Sequence, residues 1–207
     1  MATPVSQRIG IWIIAVVLTI GTLGSFLAMA LSVQNSASDT ASLQKASTSY
    51  QLAIAAQTKE LSDKYYTEFS QYASVPAAYS ADTITALTKT DLKVGDGEEI
   101  TSSTAYKAYY IGWNPKGVIF DQSISAGALK APIAGGNLIS GWNEGVVGMK
   151  AGGVRELDIP SDKAYGATGS GADIPANTPI KFIVMVIPKV ADVPIPDVLL
   201  KYYQANS

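Results

Sequence analysis

The stretch Gly141-Trp-Asn-Glu-Gly-Val-Val-Gly-Met-Lys150, followed by Tyr165-Gly-Ala-Thr-Gly-Ser-Gly171 and Ile174-Pro175, decides how the chain is read. Its single tryptophan stands between glycines in a short apolar segment. Its tyrosine opens a glycine-rich run that closes on an isoleucine. Those positions describe an apolar pocket floor with a loop above it. Gly166, Gly169 and Gly171 do not form a phosphate cradle, because no Lys-Ser/Thr pair and no following helix accompany them. They supply backbone freedom in the loop.

Further fragments extend the pattern in both directions: Leu92-Lys-Val-Gly-Asp-Gly97, Tyr110-Ile-Gly-Trp113 and Phe120-Asp121 upstream, and Phe182 downstream. In this order and spacing, from about Asp91 to Val190, the segment resembles the FKBP-type peptidyl-prolyl isomerases. The resemblance implies an α+β fold in which a strongly curved antiparallel sheet wraps one short helix, with a ligand cleft between them. It implies that Trp142 lies beneath a proline ring, that Tyr110, Phe120 and Phe182 are aromatic walls, and that Leu138 and Ile139 lead into the helix, the Ile139 amide holding a substrate carbonyl. Tyr165 corresponds to the loop tyrosine that hydrogen-bonds a ligand, Ile174 to the apolar residue at the end of that loop, and Asp121 to the pocket carboxylate. Asp121, Tyr165 and Trp142 are thereby expected to be catalytic, and Tyr110, Phe120, Leu138, Ile139, Ile174 and Phe182 to bind substrate, with no metal and no cofactor.

The sequence also departs from the family pattern. Leu129 stands where an aromatic wall residue is common, Tyr109 where histidine is frequent, and Ala176 where a second proline often follows Ile174-Pro175. Asp173 adds a carboxylate to the loop rim, and Pro132 interrupts the stretch Lys130–Gly136. A thinner wall at Leu129 is the expectation.

Composition agrees with chemistry of this kind. Across 207 residues there is no cysteine and no histidine. Disulfides, thiol nucleophiles, Ser-His-Asp triads and the usual zinc sites are therefore excluded. Rotation about an X–Pro bond needs none of them.

Outside the resemblance, Ile9 to Val33 runs without a charge. As a helix, about 25 residues at ~1.5 Å each span ~37 Å, enough for a ~30 Å hydrocarbon core. The apolar run exceeds the ~7–15 residues of a cleaved signal, so residues 9–33 are expected to be a retained transmembrane anchor, with secretion as the outcome if Ala28-Met29-Ala30 is cut. Arg8 precedes the segment and the next basic residue is Lys45. That places residues 1–8 in the cytoplasm and the rest outside it, in a single-pass arrangement. The external part carries 14 basic and 17 acidic residues, a formal charge of −3, and offers no basic footprint for nucleic acid.

Residues 34–40 are rich in Ser, Asn, Asp and Ala and are read as a linker. From Ala41 to Ser74 the apolar positions Leu43, Ala46, Tyr50, Ile54, Leu61, Tyr65, Phe69 and Tyr72 recur at helical spacing until Pro76, with polar Gln57 at one expected position. This long amphipathic helix is expected to be a stalk or to dock on the adjacent domain, with self-association or a substrate-cradling arm as the alternatives. Residues 34–79 are thus linker and helix. Residues 80–190 form the isomerase-like domain, with strands near Tyr106–Ile111, Val118–Phe120, Val154–Ile159 and Ile180–Ile187 and a helix near Leu138–Val147. Residues 191–207 are an extension with a short helix at Asp197–Tyr203. The functional expectation is a membrane-anchored isomerase acting on proline-containing clients. The alternative is a non-catalytic peptide-binding or chaperone module on the same fold.

Overall fold

A computed structural model describes residues 37–206. The expected cytoplasmic tail at 1–8 and anchor at 9–33 lie outside the described residues. Among those described, no helix is long and apolar enough to cross a membrane.

The elements, in chain order, are helix α1 (Ala37–Ser70), strands β1 (Thr88–Lys93), β2 (Tyr106–Trp113), β3 (Ile119–Gln122), β4 (Ile124–Ser125), β5 (Ala128–Leu129) and β6 (Ile133–Ala134), helix α2 (Ser140–Val146), strands β7 (Val154–Ile159) and β8 (Ile180–Pro188), and helix α3 (Asp197–Ala205). The chain divides into two compact units. One holds residues 61–190, and the other holds the described residues 37–60 and 191–206.

In the larger unit an antiparallel sheet runs in the order β1-β7-β8-β2-β3, with β6 also pairing β2. The strand beside β2 is therefore broken. β3 covers Ile111–Trp113 and β6 covers Lys107 and Ala108, while the β4–β5 hairpin leaves the sheet between them.

Alternation along β2 and β8 sorts the core into two layers. Tyr106, Ala108 and Tyr110 with Phe182, Val184 and Val186 join the cluster that holds α2. Tyr109, Ile111 and Trp113 with Ile183, Met185 and Ile187 join a second cluster on the other face. Both faces are covered, so these two strands read as nearly unbroken apolar runs.

The cover on the second face is the C-terminal part of α1. Phe69 is wholly buried there, with Tyr65, Tyr66 and Tyr72 partly buried beside it. The Tyr109 ring lies 6.1 Å from Tyr65 and 6.2 Å from Phe69. Ser62 accepts a hydrogen bond from the Leu129 amide at 2.9 Å. This end of the helix is docked on the sheet, one of the two arrangements expected of it. The strap that follows is fixed by the Trp113 indole, which donates to Ala77 O at 3.2 Å, and by the Tyr79 hydroxyl, which donates to Pro179 O at 3.0 Å.

Three expectations are corrected. The linker reading of 34–40 fails from Ala37 onward, since α1 begins there; a Ser/Asp-rich composition does not by itself exclude helix. The helix does not stay α-helical to Ser74 but tightens to 3-10 geometry over Gln71–Ser74. Leu129 is not a wall of the front cluster: it is 3% exposed and packs in the opposite layer, under α1. β1 carried no periodic signal because all six of its positions are exposed.

In the smaller unit, Gln57 Nε2 donates to Ala191 O at 2.8 Å, which explains a polar residue on the helical stripe. Leu43 and Leu199 are its buried leucines.

Candidate active site

The floor of the site is set by how closely α2 approaches the sheet. A Cβ on Gly141 would lie 2.3 Å from Ile159, and one on Gly145 would lie 2.7 Å from Leu157. Only glycine lets the helix lie this low, and Trp142 is thereby pressed into the front core, 3% exposed. Its indole donates to the Tyr106 hydroxyl at 3.2 Å. Arg155 fixes the far end of the helix: its guanidinium donates to Gly145 O at 2.8 Å and Val147 O at 3.1 Å, and it pairs with Asp91 at 2.6 Å.

Two further aromatic rings meet the tryptophan edge-to-face, and a third meets one of those two in the same way. The Trp142 and Phe182 rings are 5.0 Å apart at 76°, Tyr110 and Trp142 are 5.6 Å apart at 81°, and Phe120 and Phe182 are 5.5 Å apart at 84°. These are favoured quadrupole geometries, so the ring positions are mutually determined.

Strict alternation would send the adjacent side chains of Phe120 and Asp121 to opposite faces. A bulge prevents this. Gly112 pairs with Asp121 but Trp113 pairs with Ile119, which leaves Phe120 as the extra residue. Ile119 packs on the back layer, whereas Phe120 and Asp121 both serve the front. A bulge re-aims side chains in this way. Gly112 is required opposite it, since a Cβ there would meet Phe182 at 2.4 Å and Phe120 at 2.7 Å.

Asp121 accepts a short hydrogen bond from the Tyr110 hydroxyl through Oδ2 and one of 2.8 Å from the Gln122 amide through Oδ1. The Lys130 ammonium lies 3.8 Å from Oδ1 and donates to Gln122 O at 2.8 Å. Burial, then the bond to Asp121, push the Tyr110 phenol well above its ordinary value, and burial followed by the Asp121 charge raises Tyr165. Both tyrosines are neutral donors at physiological pH.

The loop above is shaped by Gly169, at φ +67°, where a Cβ would fall 2.4 Å from Ile174 O. The Ser170 amide donates to Ile174 O at 2.7 Å, and Asn114 Nδ2 holds Asp173 O at 2.8 Å. Ile174 is thereby turned into the front core, 4% exposed.

All nine residues expected at the site converge. Tyr110, Ile139, Trp142, Ile174 and Phe182 are buried in one cluster, with Phe120, Leu138 and Tyr165 partly buried against it, and Asp121 is tied in through Tyr110. Phe120, Asp121, Leu138 and Tyr165 keep some solvent access, so the cluster opens on their side. Sequence reasoning missed Tyr106 and Gly112. Tyr106 lies at period-two spacing from Tyr110, a signal that was legible. Two hollows elsewhere in this unit, one of about 70 Å³ beside Arg155 and an open one of about 440 Å³ between Ile84 and Pro179, are lined by no aromatic side chain.

Comparison with known proteins gives a consistent answer. The family described as FKBP-type peptidyl-prolyl cis-trans isomerase matches residues 93–187. The "FK506-binding protein" of Neisseria meningitidis serogroup A is 39% identical over 98 residues, covering 47% of this chain and 90% of that protein. The "Probable FKBP-type peptidyl-prolyl cis-trans isomerase" of Haemophilus influenzae is 34% identical over 134 residues, 65% of this chain and 53% of that one. "FK506-binding protein 4" of Rhizopus delemar is 37% identical over 97 residues, but this chain spans only 25% of its length. Among solved structures, that of AtFKBP13 is 32% identical and covers 50% of this chain and 93% of its own, with a TM-score of 0.45.

Proposed function

The chain belongs to the FKBP-type peptidyl-prolyl cis-trans isomerase family, and from that premise we propose that its aromatic cluster accelerates X–Pro rotation in extracytoplasmic client proteins. The barrier is amide resonance, ~18–20 kcal/mol. Charge separation is smaller in the twisted amide than in the planar one, so removing the amide from water favours the twisted form. Lowering the barrier by ~7 kcal/mol gives a rate gain of about 10⁵.

In this reading the proline ring rests over Trp142 between Tyr110, Phe120 and Phe182. The Tyr165 hydroxyl and the Ile139 amide hold client carbonyls, and Leu138 and Ile174 exclude water. Asp121 orients Tyr110 and places a negative charge beside the bound amide, without forming a covalent bond. The observation that carries the reading is the Tyr110–Asp121 hydrogen bond at the open side of an otherwise apolar ring cluster. The extracytoplasmic setting rests on the uncharged run Ile9–Val33 preceded by Arg8. Protection of the C-terminal part from protease in sealed cells would argue against it.

The test is the cis-to-trans rate of a short Xaa-Pro peptide with the full chain and with Asp121→Asn and Phe120→Ala. Acceleration by the wild type that drops at least ten-fold in either variant is the expected result. A folded wild-type chain that binds the peptide without accelerating it would overturn catalysis in favour of a binding module.

A further inference from the structure

The β4–β5 hairpin leaves the sheet beside the Tyr110–Asp121 pair, and the residue at which it leaves is Ser123, 3% exposed. Continuing the register of Gly112 with Asp121 and Ile111 with Gln122 by one residue puts Ser123 opposite Tyr110. In an antiparallel ladder every second opposed pair exchanges both amide hydrogens for both carbonyls, and the Ser123 amide, which donates to Tyr110 O, marks this pair as one of them. Here only half of that exchange is made by the main chain. The Ser123 amide donates to Tyr110 O at 2.8 Å, but the Tyr110 amide donates to Ser123 Oγ at 2.9 Å. The Ser123 carbonyl is thus released, and it accepts from the Lys130 amide at 2.8 Å, where the hairpin returns.

The hydroxyl therefore does two things that alanine could not do together. It satisfies the buried Tyr110 amide, and it lets the chain turn away from β2 directly after Asp121 and Gln122. The hairpin's return delivers Lys130 to Gln122 O and to the neighbourhood of Asp121 Oδ1.

Two independent observations show that the hairpin is held by its anchors. Its turn places Ala126 at φ +48°, a left-handed conformation that a non-glycine residue adopts at a cost. At its far side the Leu129 amide is captured by Ser62 of α1, a residue outside the family-matched segment 93–187. A strained turn persists where the surroundings over-determine it.

We infer that Ser123 is a positioning residue for the isomerase site, holding Tyr110 and Asp121 in register by substituting its hydroxyl for a ladder carbonyl, with Ser62 bracing the hairpin from the helix. This rests on the isomerase reading above.

The experiment uses the full chain, well below its unfolding midpoint. It measures kcat and KM for an Xaa-Pro peptide, together with hydrogen exchange at the Tyr110 and Lys130 amides, in the wild type, Ser123→Ala, Ser123→Thr and Ser62→Ala. The expected result for Ser123→Ala is an about ten-fold lower kcat with KM nearly unchanged, the pattern of a misplaced reacting group, with faster exchange at both amides. Threonine, which keeps the acceptor, restores most of the rate. Ser62→Ala, which frees the hairpin from its other end, loses a smaller part of kcat and speeds exchange at Lys130.

A folded Ser123→Ala chain with normal kcat would overturn the inference, as would unchanged protection of the Tyr110 amide. Should Ser123→Ala fail to fold, normal kcat and normal Lys130 exchange in Ser62→Ala would overturn it. Absence of catalysis in the wild type would instead refute the isomerase reading, and the exchange measurements alone would then decide whether Ser123 holds Tyr110.

Discussion

The Trp142 indole reaches across the front core to the Tyr106 hydroxyl at 3.2 Å, and both residues are buried, at 3% and 7% exposure. A buried indole N–H needs a partner, and removing that partner costs ~1–3 kcal/mol because the donor is left unsatisfied. Tyr106 itself is enclosed by Gly135, where a Cβ would lie 2.2 Å from the ring. Trp142 is thus oriented by a residue two strand positions beyond Ala108, outside the proposed pocket.

Tyr106→Phe is therefore expected to lower stability by ~1–2 kcal/mol and to reduce isomerisation several-fold, without abolishing it. Urea denaturation followed by tryptophan fluorescence, beside the peptide assay, checks both. An unchanged unfolding midpoint would show that the indole finds another acceptor.

Much of this arrangement was legible. The strands Val154–Ile159 and Ile180–Ile187 and the helix near Leu138–Val147 follow from apolar runs bounded by Gly, Pro and Asp, and the structure has them within a few residues. The illegible parts have physical causes. β1 is exposed at every position, so it has no inside face to mark it. The bulge at Phe120 breaks period two, and no local composition announces which residue a ladder will skip. Leu129 aligns with a wall position, yet it belongs to the layer under α1, because the hairpin that carries it is fastened to Ser62 from outside the aligned segment. Convergence of the nine expected residues was readable only through the resemblance, since spacing alone does not bring Asp121, Trp142 and Ile174 together.

Gly112 is a sharper test of the bulge than either phenylalanine. Gly112→Ala introduces a methyl 2.4 Å from Phe182 and 2.7 Å from Phe120, and overpacking of this kind typically costs ~1–3 kcal/mol. Because Phe120 is the more exposed ring, it should yield first. The expected outcome is a moderate loss of stability with a disproportionate loss of peptide binding, read as a raised KM. Equal binding in both proteins would mean that Phe120 does not form a wall.

Alkaline pH offers a test that needs no change to the site. Tyr79, Tyr109 and Tyr110 are all raised above the ordinary 10.0, foremost by burial. A phenol with a raised folded-state pKa contributes stability that is complete below its unfolded value and declines as pH rises beyond it. Stability should thus be insensitive to these groups up to about pH 9.5 and fall above about pH 10. Isomerisation should show no inflection from Tyr110 or Tyr165 across pH 6–9, since both remain protonated. An activity inflection near neutrality that vanishes in Tyr165→Phe would contradict the assignment of Tyr165 as a neutral donor.

Tyr109 carries the same chemistry into the opposite setting. It is fully buried between the sheet and α1, against Tyr65 and Phe69, and its hydroxyl has no hydrogen-bond partner among the described residues. Removing an unsatisfied buried hydroxyl relieves a desolvation penalty, where removing the Tyr106 hydroxyl strands a donor. Tyr109→Phe is therefore expected to stabilise the protein by ~1 kcal/mol, to leave isomerisation unchanged because the ring lies on the far face of the sheet, and to lessen the stability lost above pH 10. Thermal unfolding of Tyr106→Phe and Tyr109→Phe side by side reads the contrast directly. Destabilisation by both would show that the Tyr109 hydroxyl is satisfied in solution, and the packing of α1 on the sheet would then include a polar contact at its centre.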